Sequence, residues 1–163
     1  MIELHVLSPD DSRIWRDLRL AALIDAPYAF AAQLTGWQGA SDERWRGRLE
    51  IPGSLNVVAV LDDQHVGMAS GMPSPDLGVV ELTSMWVGPT ARGRGVGDEL
   101  ISAVEQWART SGARVLKLGV IPGNDFASAL YRRNGFVETG ELGDQTPKGQ
   151  PREQLMTKAI HPV

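Results

Sequence analysis

The sequence predicts a mixed α/β fold: a mostly antiparallel sheet of six to seven strands flanked by about four helices, with the fourth and fifth strands parallel. Three observations lead there. Apolar runs at 55–61 and 65–72 flank Asp62-Asp63-Gln64, the arrangement of a β-hairpin, although no decisive turn dipeptide joins them. Residues 79–87, rich in β-branched and large apolar side chains, pass through a glycine-rich loop into an amphipathic helix. A further apolar run at 115–121 follows, so the crossover makes these two strands parallel. Residues 124–134 carry the marks of a helix capped at both ends.

Taken in order, residues 2–6 read as a short first strand. Ser8-Pro9-Asp10-Asp11 starts a helix, with a capping hydroxyl, a proline that the first turn tolerates, and acids at the positive helix end. Ile14, Trp15, Leu18 and Ala22 then form one apolar stripe, and the helix ends before Pro27. A short helix follows Ser41, with Trp45 and Leu49 on one side, and Pro52-Gly53 breaks it. In the helix after the glycine loop, Leu100, Ile101, Val104, Trp107 and Ala108 recur at helical spacing. Glu99, Ser102, Glu105 and Arg109 lie opposite, and Ser111-Gly112 ends it. The run at 115–121 is apolar almost throughout, the pattern of a strand buried on both faces. Asn124 is the N-cap of the next helix, Asp125 suits its first turn, Arg132 and Arg133 its last, and Gly135 the position just beyond. Residues 136–141 and 153–160 make the last two strands, joined by a polar linker at 143–151. With no internal repeat, residues 1–163 read as one domain.

The stretch from Val87 to Gly97 is the most informative. Gly93, Gly95 and Gly97 alternate where a strand gives way to a helix, so backbone N–H groups can close on an anion at the positive helix end. Arg92 and Arg94 add full charges, and a pyrophosphate suits the cradle. No Gly-Lys-Ser or Gly-Lys-Thr follows, which excludes the nucleotidase type of phosphate loop. A dinucleotide fingerprint would want an acid about 20 residues further on, where Lys117 and apolar neighbours stand. From the glycines alone, a flexible loop that merely caps a helix remains open.

The element order and two motifs resemble the Gcn5-related N-acetyltransferase (GNAT) superfamily. Arg92-Gly-Arg-Gly95-Val96-Gly97 follows a strand ending in Val-x-Pro and meets the family's pyrophosphate signature. Asn124, Ala127, Leu130, Tyr131 and Asn134-Gly135-Phe136 meet its second. The resemblance implies a fourth and fifth strand splayed at a bulge around a pantetheine arm. It implies acetyl-CoA as co-substrate and a primary amine, on a small molecule or a peptide, as acceptor, and it allows a homodimer. By the same resemblance Arg92, Gly93, Arg94, Gly95, Val96 and Gly97 hold the pyrophosphate. The main chains of Met85 and Val87 pair with the pantetheine, the Val87 N–H polarising the thioester carbonyl, and Asn124 addresses the pantetheine amides. Glu81, eleven residues before Arg92, matches the position of the catalytic glutamate in the histone-acetylating branch of the superfamily. The alternative for Glu81 is a strand-edge carboxylate facing solvent. Tyr131 matches the tyrosine that protonates the departing thiolate, its alternative being a packed core aromatic. Trp86 is expected to pack on the opposite face.

With no cysteine, a thiol acyl-enzyme is excluded and direct attack in a ternary complex is the expected route. His5, His65 and His161 are scattered, without metal-ligand spacing, so no metal is expected. A net charge of −4 argues against nucleic acid as a partner and mildly favours a cationic acceptor such as a polyamine, an aminoglycoside or a lysine side chain. No apolar run is long enough to span a membrane and no signal peptide is evident at the N-terminus, so the cytoplasm is the expected location. Tyr28, Phe30, Trp37 and Trp45 could line an acceptor pocket or pack as core. A non-catalytic acyl-CoA sensor and a dinucleotide-dependent oxidoreductase are the competing functional classes.

Overall fold

A computed structural model of the chain describes residues 1–27, 34–144 and 151–163. Seven strands form one sheet, β1 (Ile2–Val6), β2 (Leu55–Leu61), β3 (Gln64–Pro73), β4 (Val79–Val87), β5 (Val115–Val120), β6 (Val137–Leu142) and β7 (Gln154–Ala159), in the order β1-β2-β3-β4-β5-β7-β6. Of these neighbours, β4 and β5 pair in parallel and the rest antiparallel. Helices α1 (Ser12–Asp25), α2 (Leu34–Trp37) and α3 (Asp42–Leu49) precede β2, α4 (Val96–Thr110) joins β4 to β5, and α5 (Asp125–Arg133) joins β5 to β6. The one-turn α2 has no counterpart in the sequence reading.

The sheet separates two apolar layers. On one side Leu100, Ile101, Val104 and Ala108 of α4 pack with Val57, Ala59, Ala69, Leu82 and Leu116 of the strands. On the other, Trp15, Leu18 and Ala22 of α1 and Trp45 and Leu49 of α3 cover Val58 and Met68. The helical spacing of these residues is what turns a single stripe toward the sheet. Trp107 of α4 lies over Gly71, where a Cβ would come 2.4 Å from the indole, so β3 needs a glycine there to let the helix approach.

Three features differ from the sequence reading. The β2–β3 turn is a two-residue loop, Leu61 pairing with Gln64, and Asp62 and Asp63 both take positive φ (51° and 62°). Aspartate tolerates that conformation, so Asp-Asp performs the role usually signalled by Asn-Gly. Second, β5 is not buried on both faces: Leu116, Leu118 and Val120 are buried, whereas Val115, Lys117 and Gly119 are half-buried, the last two lining a cleft. Third, Glu105 is not a solvated residue opposite the apolar stripe; it is largely covered and pairs with Lys158 of β7 at 2.5 Å.

Replacing Gly71 with Ala is expected to destabilise the fold by about 1–3 kcal/mol, the usual cost of forcing an extra methyl into a packed site. Urea denaturation followed by tryptophan fluorescence reads this; an unchanged midpoint would mean that α4 rides further from the sheet than the structure shows.

Candidate active site

The site begins with an interruption of the sheet. β4 and β5 pair only at Val79–Val115, Val80–Leu116 and Glu81–Lys117, and then part. On its other edge β4 slips by one residue against β3, between the pairs Ser70–Thr83 and Met68–Trp86. Ser84 sits in that slip with φ +54°, a left-handed conformation uncommon for a residue other than glycine, and marks a β-bulge. A cleft of about 450 Å³ opens between the strands. Its walls are 81–85 of β4, 117–120 of β5, Asn124, Ala127 and Tyr131 at α5, and Glu153 and Leu155 beside β7, with Arg19 reaching in from α1.

A polar ladder holds the bulge. Asn56 and Ser70 are the two fully buried polar residues among those described. Ser70 Oγ donates to Asn56 Oδ1 at 2.8 Å. Above them the Arg48 guanidinium donates to Asn56 Oδ1 and Ser70 Oγ, each at 3.0 Å, and to Ser84 Oγ at 3.4 Å. One side chain from α3 thus ties β2, β3 and β4 together at the point where β4 deforms. Burial, and then the neighbouring charge of Arg19, push Arg48 down to about 10, and burial brings Arg19 to about 10 as well.

At one end of the cleft stand the acids. Glu81 is half-buried and pairs with Lys117 Nζ at 3.6 Å. Glu153 lies over Gly119 so closely that a Cβ there would come within 2.8 Å of its carboxyl carbon. Burial, then the Glu81 and Asp144 carboxylates, push the Glu153 carboxyl up. Tyr131 is buried, edge-on to Phe136 at 5.9 Å, and lines the same cleft. Burial first and the Glu153 charge second raise its hydroxyl, so the group stays protonated through the physiological range. Tyr131 is therefore both a packed aromatic and a cleft residue. Asn124 caps α5, its Oδ1 accepting from the Ala127 N–H at 3.3 Å, and also faces the cleft.

Next to Met85 of the cleft wall comes the glycine loop. Gly93 (φ +76°) and Gly95 (φ +86°) take the left-handed turns that only glycine adopts freely, and Gly95 is the N-cap of α4. The first-turn amides of Val96, Gly97 and Asp98 have no partner within the helix. Gly97 matters for packing instead. A Cβ there would come within 2.9 Å of Leu130 Cδ2, so the glycine lets α4 and α5 close up. Asp98 would repel an anion here, but its carboxylate accepts from Asn134 Nδ2 at 2.8 Å and from Arg133 at 3.0 Å, which hold it below the usual carboxylate range. Neither loop arginine projects freely. Arg92 donates to Val87 O at 3.1 Å and to Asp25 Oδ2 at 2.6 Å; Arg94 lies 3.8 Å from Asp62. Asp25 also accepts from Trp86 Nε1 at 3.0 Å, so the Trp86 indole turns away from the cleft toward α1. A second hollow of about 340 Å³, bordered by Val87, Arg92, Gly93, Gly95–Gly97 and Phe126, lies beside the loop.

The acceptor-side aromatics divide. Trp45 is buried, and Trp37 stacks on it at 4.6 Å under the Arg44 guanidinium, so neither lines the cleft. Tyr28 and Phe30 lie outside the described residues, as does most of the 143–151 linker. Several cleft residues went unassigned from sequence, among them Arg19, Ser84, Lys117 and Glu153. Only Lys117 carried a signal, being a lone charge within the apolar run Val-Leu-Lys-Leu-Gly-Val.

A seven-stranded mixed sheet that parts between its two parallel strands, with a glycine loop at the start of α4, defines a mixed α/β fold with a cleft at the parting. The chain belongs to the acetyltransferase (GNAT) family, whose description matches residues 17–136. It is 34% identical over 103 residues to N-acetylaspartate synthetase of Danio rerio, a match that takes in 63% of this chain and 36% of that protein. It is 26% identical over 125 residues to aminoglycoside N(6')-acetyltransferase type 1 of Salmonella typhimurium, covering 65% of this chain and 86% of the relative. The fold superimposes on yncA from Salmonella typhimurium, solved with its cofactor acetyl-CoA, with a TM-score of 0.79 at 19% identity, over 100% of this chain and 96% of the other. Among the described residues no helix is long and apolar enough to cross a membrane, and no cluster of His, Asp and Glu is arranged to hold a metal ion.

Glu153 gives a stability test of the site. A carboxyl raised in the folded state favours folding below its unfolded value, and that contribution is lost as pH rises through the folded value. Glu153→Gln is therefore expected to melt higher than the wild type at neutral pH, with the difference closing as pH falls below about 4, the ordinary glutamate value. Thermal melts across that range check it; a lower melting temperature at pH 7 contradicts the crowding of carboxylates.

Proposed function

We propose that the protein transfers an acetyl group from acetyl-CoA to a primary amine by direct attack. The observation that supports this most strongly is the cleft where β4 and β5 part, which is lined by Glu81, Met85 and Tyr131, the Met85 side chain lying close to Gly97 at the start of α4. The cradle suits a pyrophosphate: it offers backbone donors at the positive end of a 15-residue helix, and the Asp98 carboxylate beside them is already engaged. In this reading the amides of 93–98, bordered by Arg92 and Arg94, take the pyrophosphate. Arg92 keeps further N–H donors beyond those used on Val87 and Asp25.

Beyond Glu81 the β4 edge has no strand partner toward β5, so its main chain at Met85 and Val87 can pair with the pantetheine amides as a strand would. Asn124, at the head of α5, serves the same arm. Within this scheme the Val87 N–H polarises the thioester carbonyl.

An amine with a lysine-like value of about 10.4 is almost wholly protonated at pH 7, so freeing its lone pair costs roughly 4–5 kcal/mol. Glu81 takes that proton, beside a Glu153 carboxyl that burial first, and then the Glu81 and Asp144 carboxylates, push up. The amine nitrogen then bonds to the carbonyl carbon, the C–S bond breaks, and the second proton lost by the nitrogen neutralises the departing thiolate, so that coenzyme A leaves as its thiol. Tyr131, whose hydroxyl holds its proton firmly, donates a hydrogen bond to the departing sulfur. The relatives' names point to unlike acceptors, an aspartate and an aminoglycoside, so they support an amine without choosing one.

Tyr131→Phe is expected to lower kcat about tenfold or more while leaving the affinity for coenzyme A within about twofold; removing one hydrogen bond to a charged group is worth about 1.5–3 kcal/mol. Release of coenzyme A in the presence of mixed amines, measured with a thiol reagent, reads the rate. Glu81→Gln should cost about 10²–10⁴ in kcat/KM at neutral pH, the usual weight of a general base. Binding of acetyl-CoA without release of thiol to any amine would favour a sensor over an enzyme.

A further inference from the structure

Two glutamates line the cleft, and only one of them has a counter-ion. Glu81 pairs with Lys117 Nζ at 3.6 Å. The half-buried Glu153 carboxylate makes no hydrogen bond and no ion pair among the described residues. Its place is made by Gly119, where a Cβ would come within 2.8 Å of the carboxyl carbon and 2.9 Å of Oε2, so a side chain there would displace the acid. Lys117 and Gly119 stand two residues apart on β5, which puts them on one face about 7 Å apart. Glu81, opposite Lys117 in the β4–β5 register, and Glu153, over Gly119, therefore follow one another along that face. The spacing admits a single ammonium group between the two acids. Asp144 and Tyr131 are the other titratable groups that Glu153 feels, and Arg19 of α1 lines the same cleft. Burial first, and then the Glu81 and Asp144 carboxylates, push the Glu153 carboxyl up, so it holds a proton at a higher pH than an ordinary glutamate does.

We infer that Glu153 is a second catalytic carboxylate of the cleft: with Glu81 it holds the acceptor's ammonium group, and it receives the proton that Glu81 takes. This rests on the proposed acetyl transfer and adds a group to its proton path. An ammonium carries three N–H donors, so one addresses Glu81 and another Glu153. Once Glu81 has taken the first proton, that proton moves on to Glu153, directly or through one water; an O–H bond breaks at Glu81 and one forms at Glu153. The remaining negative charge returns to Glu81, beside the Lys117 ammonium, and the neutral form falls on the acid that has no counter-ion. Glu81 is thereby restored as an anion, and the half-buried Glu153 gives its proton up to water. The second proton of the nitrogen still goes to the sulfur. Acetyl-CoA and an ammonium thus yield an amide, coenzyme A as its thiol, and one proton.

The test is the pH dependence of kcat/KM, read as coenzyme A release from acetyl-CoA with mixed amines, for the wild type, Glu153→Gln and Glu153→Asp. The wild type is expected to rise along an acid limb above the ordinary glutamate value of about 4, because Glu153 must be ionised to receive the proton. Glu153→Gln is expected to lose that limb and to fall about tenfold or more at pH 7, with KM for acetyl-CoA held within about twofold. Glu153→Asp should keep the limb and part of the rate. Thermal melts of the same samples separate slower chemistry from lost folding. A rate that is unchanged in Glu153→Gln, or that falls with the acid limb still in place, overturns the inference and leaves acetyl transfer to Glu81 alone. No release by the wild type with any amine overturns the acetyl-transfer reading itself. Should Glu153→Gln fail to fold, Gly119→Ala decides, since its methyl displaces the carboxyl: a fall of about threefold or more in kcat/KM supports the role, and unchanged turnover overturns it.

Discussion

The bulge at Ser84 is the constraint on which the site depends. Had β4 continued in register, its edge would have paired with β5 along its length and no cleft would exist. Instead the parallel pairing ends at Glu81–Lys117, and the β4 edge beyond it is left open. A left-handed serine costs on the order of 1–3 kcal/mol. Neighbours on two other strands and α3 offset it: Arg48 reaches Ser84 Oγ while bonded to Asn56 and Ser70. The deformation of one strand is thus stabilised by a buried polar ladder, and the opening it creates receives Tyr131, Glu81 and Glu153 from separate segments of the chain.

The same design recurs in how the helices are fixed around the opening. Asp98 accepts from Arg133 and Asn134, which pins the start of α4 to the end of α5 and removes a carboxylate from the anion cradle. Asp25, at the end of α1, accepts from Trp86 and Arg92, joining the acceptor-side helix to β4 and to the glycine loop. Asp25 lies below the usual carboxylate range, through the Trp86 hydrogen bond first and Arg92 after it. Both clamps place charge where it positions an element. The Glu153 carboxyl works the other way: burial first, and then the Glu81 and Asp144 carboxylates, push it up, so its charge costs stability.

Much of this was legible in the sequence because it rests on local rules. The alternating glycines, the Ser41 and Asn124 caps and the helical stripes each depend on residues a few positions apart, and each takes its expected place. The bulge was not legible from the residues themselves. Thr83-Ser84-Met85-Trp86 reads as ordinary strand, and the left-handed turn at Ser84 depends on Arg48, 36 positions away. Glu153 was missed for the same reason: its neighbours Gly119, Tyr131 and Glu81 come together only in the folded sheet. The uniform apolarity of 115–121 misled because a strand facing a cleft and a strand buried twice over have the same composition. Lys117, the one charge in that run, marked which face was which.

Hydrogen–deuterium exchange of the backbone amides, with and without coenzyme A, tests the parted sheet most directly. Exchange should slow at 85–87, where the free β4 edge gains a partner, and at 96–98, where the α4 amides gain an anion, with β1 and β6 unchanged. Protection absent from both stretches at saturating coenzyme A would contradict a cleft built to hold an acyl carrier.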